Sequence, residues 1–184
     1  MPILAAEPDL HPSDLFDNAA SDTRRWWVAH TLPRQEKAFA RLLQRDDFPY
    51  YLPCDRRRTK VRNKVVLAQV PLFSGYVFVM AVDEERVRLL NTKRLAGLLE
   101  VRDQDRLWQD LRRVRRILDL GRPVTLEQRL NPGTPVTIRS GPLAGMMGTV
   151  VKCRGGFQFV VAVDFLQRGI SVTVDGNSLG VNAD

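Results

Sequence analysis

The sequence predicts an α+β chain in two parts, a mixed α/β domain followed by a small all-β barrel. Three observations lead there. The run Pro71-Leu72-Phe73-Ser74-Gly75-Tyr76-Val77-Phe78-Val79 is aromatic and aliphatic, and strand alternation sends Tyr76, Phe78 and Met80 to one side and Val77 and Val79 to the other. Leu107, Leu111, Val114 and Leu118 recur at the spacing of one helix face. Beyond Asn131 only short β-branched or aromatic runs remain, divided by Gly141-Pro142, Gly155-Gly156 and Gly169.

Residues 1–24 hold Pro2, Pro8 and Pro12 among small and acidic residues without a sustained period, which predicts a flexible acidic tail. Leu15 and Phe16 are its exceptions. From 25 to 120 strands and helices mix. Trp26 to His30 reads as a first strand. Pro33 suits the first turn of a helix whose apolar stripe is Ala38, Phe39, Leu42 and Leu43. Phe48 to Leu52 is extended, and Val65 to Val70 and Gly75 to Val82 are further strands. Asp83-Glu84-Glu85 opens a short helix to Leu90, since acids favour the positive end of the dipole. Leu98 to Val101 is a last short strand, and Asp103 to Leu120 is the long helix, stopped by Gly121 and Pro123. Residues 121–131 read as a linker and 132–181 as the β domain, with strands at Val136 to Arg139, Gly148 to Lys152, Phe157 to Val163 and Ile170 to Val174.

Charge narrows the class of partner. The 184 residues carry a formal net charge of +7 and a pI near 10.0, which favours an anionic partner such as nucleic acid. No Lys or Arg precedes Arg24, so the rest of the chain is more basic than the mean. Six positive groups, Arg56, Arg57, Arg58, Lys60, Arg62 and Lys64, crowd one predicted hairpin. Such a run is either a solvated surface or a projecting phosphate contact that reads no sequence.

Catalysis finds no foothold. The histidines are His11 and His30, and Cys54 and Cys153 lack a neighbouring base or a second cysteine pair. No enzyme activity, metal or cofactor is expected. Gly141, Gly145 and Gly148 lack the Lys-Ser/Thr ending of a phosphate loop and read as turn glycines. The first residues lack the pattern of a secretory signal, and no apolar run approaches the ~18 residues of a membrane span. A cytoplasmic monomer without a membrane partner is the expectation.

Taken in order, Trp26-Trp27-Val28-Ala29-His30, the PLFSGYVFV run and the segment NPGTPVTIRSGPLAGMMGTVVKC from Asn131 to Cys153 resemble the NusG family of transcription elongation factors. The likeness spans about Arg25 to Val181. It implies a NusG-type α/β sandwich followed by a KOW (SH3-like) barrel, with Gly141 and Gly148 on the KOW glycine positions. It implies a transcription elongation or antitermination factor that binds the clamp helices of RNA polymerase and suppresses pausing or termination.

By that resemblance, Phe73, Tyr76 and Phe78 correspond to the polymerase-binding concavity and Trp26 to the first-strand aromatic. Arg86 and Arg88 fall near the gate-loop contact. Arg45, Thr92 and Lys93 fall near positions that touch non-template DNA in the RfaH-like branch; nascent RNA is the other nucleic acid in reach. That branch's histidine-threonine run is absent, the segment here reading Glu85-Arg86-Val87-Arg88. Phe165 and Leu166 match the segment that meets ribosomal protein NusE or Rho. The acidic tail and basic hairpin lean towards a specialised paralogue. The RfaH-like branch stores its KOW region as a helical hairpin, whereas the Val- and Thr-rich runs here predict strands. A ribosome-associated or RNA-binding KOW protein is the alternative reading.

Overall fold

The strand at Trp26 to His30 is an inner strand of a five-stranded antiparallel sheet in the computed structural model, which describes residues 8–17, 23–61, 64–127, 133–153, 156–175 and 178–181. The chain divides into two compact units, residues 1–104 and 105–184.

In the first unit the sheet order is β1-β3-β6-β2-β7, from β1 (Leu10–His11), β2 (Arg25–Thr31), β3 (Tyr50–Tyr51), β6 (Tyr76–Ala81) and β7 (Leu95–Glu100). Alternation gives the sheet two apolar faces. On one, Trp27, Ala29, Tyr50, Val77, Val79 and Leu98 form a buried cluster with Phe39, Ala40 and Leu43 of helix α1 (Glu36–Arg45). Each fully buried side chain of this kind contributes roughly 1.5–3 kcal/mol. The helix begins after Pro33, which lies in the preceding turn instead of the first helical turn. A second hairpin, β4 (Cys54–Val61) paired with β5 (Lys64–Pro71), is a separate two-stranded ribbon. A 3-10 turn (Asp83–Glu85) leads into α2 (Arg86–Leu90), and Glu85 Oε2 accepts from the Val82 N–H at 3.0 Å, closing the turn the acids announce.

The flexible-tail expectation is corrected for residues 8–17. Leu10 and His11 pair with Tyr51 and Tyr50 as the edge strand β1, and Leu10 and Phe16 are buried. An acidic, proline-bearing segment has no period to betray this; it docks through single residues. Residues 1–7 and 18–22 of the expected tail lie outside the described residues.

The second unit joins helix α3 (Gln104–Asp119) to a six-stranded antiparallel sheet ordered β13-β9-β10-β11-β12-β8. The strands are β8 (Thr125–Glu127), β9 (Thr134–Ile138), β10 (Met147–Cys153), β11 (Gly156–Val163), β12 (Arg168–Val174) and β13 (Leu179–Val181). Phe159, Val161 and Val163 on β11 face the same side as Val172 and Ile170 across the ladder, and all five are buried. From Thr125 onward the described residues are strands and turns with a 3-10 turn at Asp164–Leu166, as the β-branched runs predict. Two boundaries differ from the sequence reading. The long helix groups with the sheet unit instead of the α/β unit, and Thr125–Glu127, inside the expected linker, pairs with β12. On α3 the buried residues include Leu107, Leu111, Val114 and Ile117, with Leu118 only half-buried.

Candidate polymerase- and nucleic-acid-binding surfaces

The second face of the first sheet carries the aromatic candidates. The register sets Trp26 opposite Met80, Val28 opposite Phe78 and His30 opposite Tyr76, while Tyr51 lies opposite Phe78 on the other side and Leu99 opposite Val28. These side chains therefore share one face. Within it, Phe73 meets Phe78 edge-on with centroids 6.3 Å apart, and His30 stacks on Tyr76 at 5.1 Å. Phe73, Phe78 and Trp26 are buried, whereas Tyr76 is half-buried and His30 and Leu99 are exposed. Of the four aromatics that the family likeness singles out, only Tyr76 reaches solvent.

The turn before Tyr76 is built by a buried acid. Glu36, 6% exposed, accepts the Gly75 N–H through Oε1 at 2.8 Å, and Gly75 C=O accepts the Thr31 N–H at 2.8 Å. Gly75 has φ +83°, the left-handed region in which a side chain is strained. Helix α1 thus sets the entry angle of β6. An acid in the first turn of an amphipathic helix was the available signal for Glu36, but nothing in the sequence tied it to residue 75.

The two arginines expected near the gate loop have aromatic neighbours. Arg86 Cζ lies 5.4 Å from the Trp27 ring centroid, beside Arg25 at 4.6 Å, and Arg88 Cζ lies 4.8 Å over Phe48. Both remain exposed. Arg88 Nη2 also approaches Asp46 Oδ2 at 3.5 Å, and Arg45 Nε donates to Asp46 Oδ1 at 2.8 Å. The hydrogen bond from Arg45, then the charges of both arginines, hold the Asp46 carboxyl below its usual range against the opposing effect of burial. Arg45 and Arg88 are thereby gathered around one acid. Thr92 Oγ1 donates to Leu89 C=O at 2.7 Å, capping α2, and Lys93 is exposed with φ +56°.

On the β4–β5 ribbon, Arg56 lies opposite Gln69 and Arg58 opposite Leu67, so these four share a face, while Arg57 lies opposite Ala68 on the other. Arg56, Arg57 and Arg58 are exposed, and Arg57 Nε donates to Asp55 Oδ2 at 2.6 Å. Val65 and Leu67 are 62% and 64% exposed, which the charge run alone did not suggest. Arg62 and the side chains of Lys60 and Lys64 lie outside the described residues.

In the second unit Phe165, 37% exposed, and half-buried Leu166 sit on a 3-10 turn (Asp164–Leu166) after β11. Asp110 of α3 anchors this turn, its Oδ2 accepting the Asp164 N–H at 3.0 Å. Burial pushes the Asp110 carboxyl above its ordinary range, against that hydrogen bond and the nearby Arg106 and Arg113 guanidinium groups. A second tie links Arg116 Nη2 to the carbonyls of Pro142 and Ala144 at 2.9 and 3.1 Å. Sequence reading missed Asp110; an acid on the apolar stripe between two arginines was its only trace. No group of His, Cys, Asp or Glu able to hold a metal occurs among the described residues. No helix among them is long and apolar enough to cross a membrane.

Against known proteins, residues 24–129 match the family model of NusG, described as transcription termination factor nusG. Among solved structures, one of Thermotoga maritima NusG, described under its domain interaction, matches at TM-score 0.50 and 18% identity, covering 88% of this chain and 98% of that one. An archaeal MjSpt4:Spt5 complex matches at TM-score 0.28 and 15% identity, covering 86% and 97%. No curated protein matches.

Proposed function

The chain belongs to the NusG family of transcription factors, and from that premise we propose that it is an elongation or antitermination factor that binds RNA polymerase at the clamp helices and suppresses pausing or termination. The observation that carries this reading is the second apolar face of the sheet. Trp26, Val28, Phe78 and Met80 on that face are buried within the chain, while half-buried Tyr76 and exposed His30 and Leu99 leave an aromatic and apolar margin open to a partner. Tyr76 is the anchor at the surface of this face, with the buried Phe73–Phe78 pair beside it and Trp26 buried further along the same face, opposite Met80. Aromatic anchors of this kind supply much of the energy in many interfaces.

The action is by binding. Exposed Arg86 and Arg88 face the opposite gate, and Arg45, Thr92 and Lys93 lie towards the non-template strand. Arg56 and Arg58 on the ribbon, with Arg57, Lys60, Arg62 and Lys64, meet phosphates of DNA or nascent RNA. Bridging clamp and gate favours the closed, elongating polymerase through higher affinity for that state. Phe165 and Leu166 on the anchored turn offer the contact for NusE or Rho, through which the KOW unit recruits further machinery.

The test is whether purified protein binds core polymerase without nucleic acid. A stable complex is expected. A chain that binds structured RNA or ribosomes but not core polymerase would support the RNA-binding alternative instead.

A further inference from the structure

We propose that residues 8–17 are an intramolecular cover that competes with the polymerase for the aromatic face of the first sheet, an inference that rests on the reading of that face given above. The start of the segment is held by backbone pairing at the sheet edge. Leu10 and His11 pair with β3, the Leu52 N–H donates to Asp9 C=O at 2.7 Å, and Tyr50 OH donates to Pro8 C=O at 2.9 Å. His11 Nε2 lies 2.9 Å from Asp47 Oδ1. The chain then turns, with Leu15 N–H donating to Pro12 C=O and Asp17 N–H to Asp14 C=O.

That turn lays Phe16 on the face itself. Its ring stacks on Trp26 with centroids 6.2 Å apart and planes 15° apart, and meets Tyr51 edge-on at 5.2 Å. Tyr51 lies on β3 and Trp26 on β2, with β6 between them. Phe78 and Met80 of β6 point to the same face, so Phe16 bridges the strand that carries the candidate contact residues. Phe16 is 6% exposed. An incoming apolar partner at Trp26 and Tyr51 would have to take its place.

The attachment suits a reversible cover. A two-residue edge strand is a short ladder next to the seven residues of β2, and such edges occupy the low-stability end of a fold. The apparent affinity of the face for a partner is then scaled down by the fraction of chains in which it is uncovered.

The experiment compares the full chain, Phe16→Ala in the full chain and a chain lacking residues 1–17, each checked for retained sheet signal. Two quantities are read: affinity for core polymerase, and uptake of an apolar-site dye without polymerase. Both variants are expected to bind polymerase about fivefold or more tightly than the full chain and to take up more dye. A synthetic peptide of residues 8–17 should return the truncated chain towards the full-chain value. Unchanged dye uptake in both variants overturns the cover whatever the polymerase does. Raised dye uptake with equal or weaker polymerase binding overturns the competition. Tyr76→Ala, which leaves the Phe16 contacts in place, reports separately on the polymerase reading of the face.

Discussion

Asp110 on α3 accepts the main-chain N–H of Asp164 at 3.0 Å, so a carboxylate on the buried side of a helix fixes the turn that carries Phe165. Burial raises the Asp110 proton affinity in the folded chain. An aspartate shifted upwards binds its proton more tightly folded than unfolded. The stability it contributes is therefore full below its unfolded value, about pH 4, and declines as pH rises from there through the raised folded value.

Asp110→Asn keeps an acceptor for the Asp164 N–H and removes the titration. Its melting temperature should rise relative to the unmodified chain as pH climbs from about 4 to about 7. Asp110→Ala also removes the acceptor and should cost about 1 kcal/mol or more at every pH in that range. Thermal melts across the range decide it, and a pH-independent difference between the Asn variant and the unmodified chain would reject the assignment.

Gly141 and Gly148 should respond differently to alanine. A Cβ on Gly148 would stand 2.6 Å from Phe159 Cζ and 2.6 Å from Val160 C=O, whereas one on Gly141 meets nothing within 4 Å. Gly148→Ala forces a shift in the ladder and should cost about 1–3 kcal/mol. Gly141→Ala should cost about 1–2 kcal/mol through its φ of +85° alone. Proton chemical shifts of Phe159 are the discriminating readout, moving in Gly148→Ala and staying put in Gly141→Ala.

Much of this architecture is legible in the chain because alternation and helical period are local. Trp26 to His30, Tyr76 to Ala81 and the runs of the second sheet stand out through β-branched and aromatic residues that a strand needs on its buried side. Both faces of the first sheet could be read from Tyr76 and Phe78 set against Val77 and Val79. Accessibility could not. Phe73 and Phe78 are buried against each other, and the turn between them is held by Glu36, a contact across 39 positions. Phe16 stood out only as an apolar exception in the tail; where it docks had no signal, since one aromatic in an acidic segment has no period and its partners Trp26 and Tyr51 lie on other strands. Asp110 was hidden by the charged residues around it on α3.

The ribbon yields a prediction about salt. If Arg56 and Arg58 contact phosphates, replacing both by Gln should flatten the salt dependence of binding to polymerase carrying a DNA bubble, by a slope of about one per lost contact. Binding to polymerase without nucleic acid should change less. Salt titrations of both complexes make the comparison, and identical slopes on the bubble complex would return the ribbon to solvated surface.

The central claim is that the sheet face bearing Tyr76 binds RNA polymerase. Tyr76 is half-buried and stacked on exposed His30, so Tyr76→Ala removes an accessible ring while the buried Phe73–Phe78 pair stays in place. The most direct measurement is the dissociation constant of the unmodified chain and of Tyr76→Ala for core polymerase without nucleic acid, with circular dichroism to confirm the fold. A loss of ~2 kcal/mol, about 30-fold in affinity, is the predicted result. Equal affinity of the two folded proteins would contradict the account.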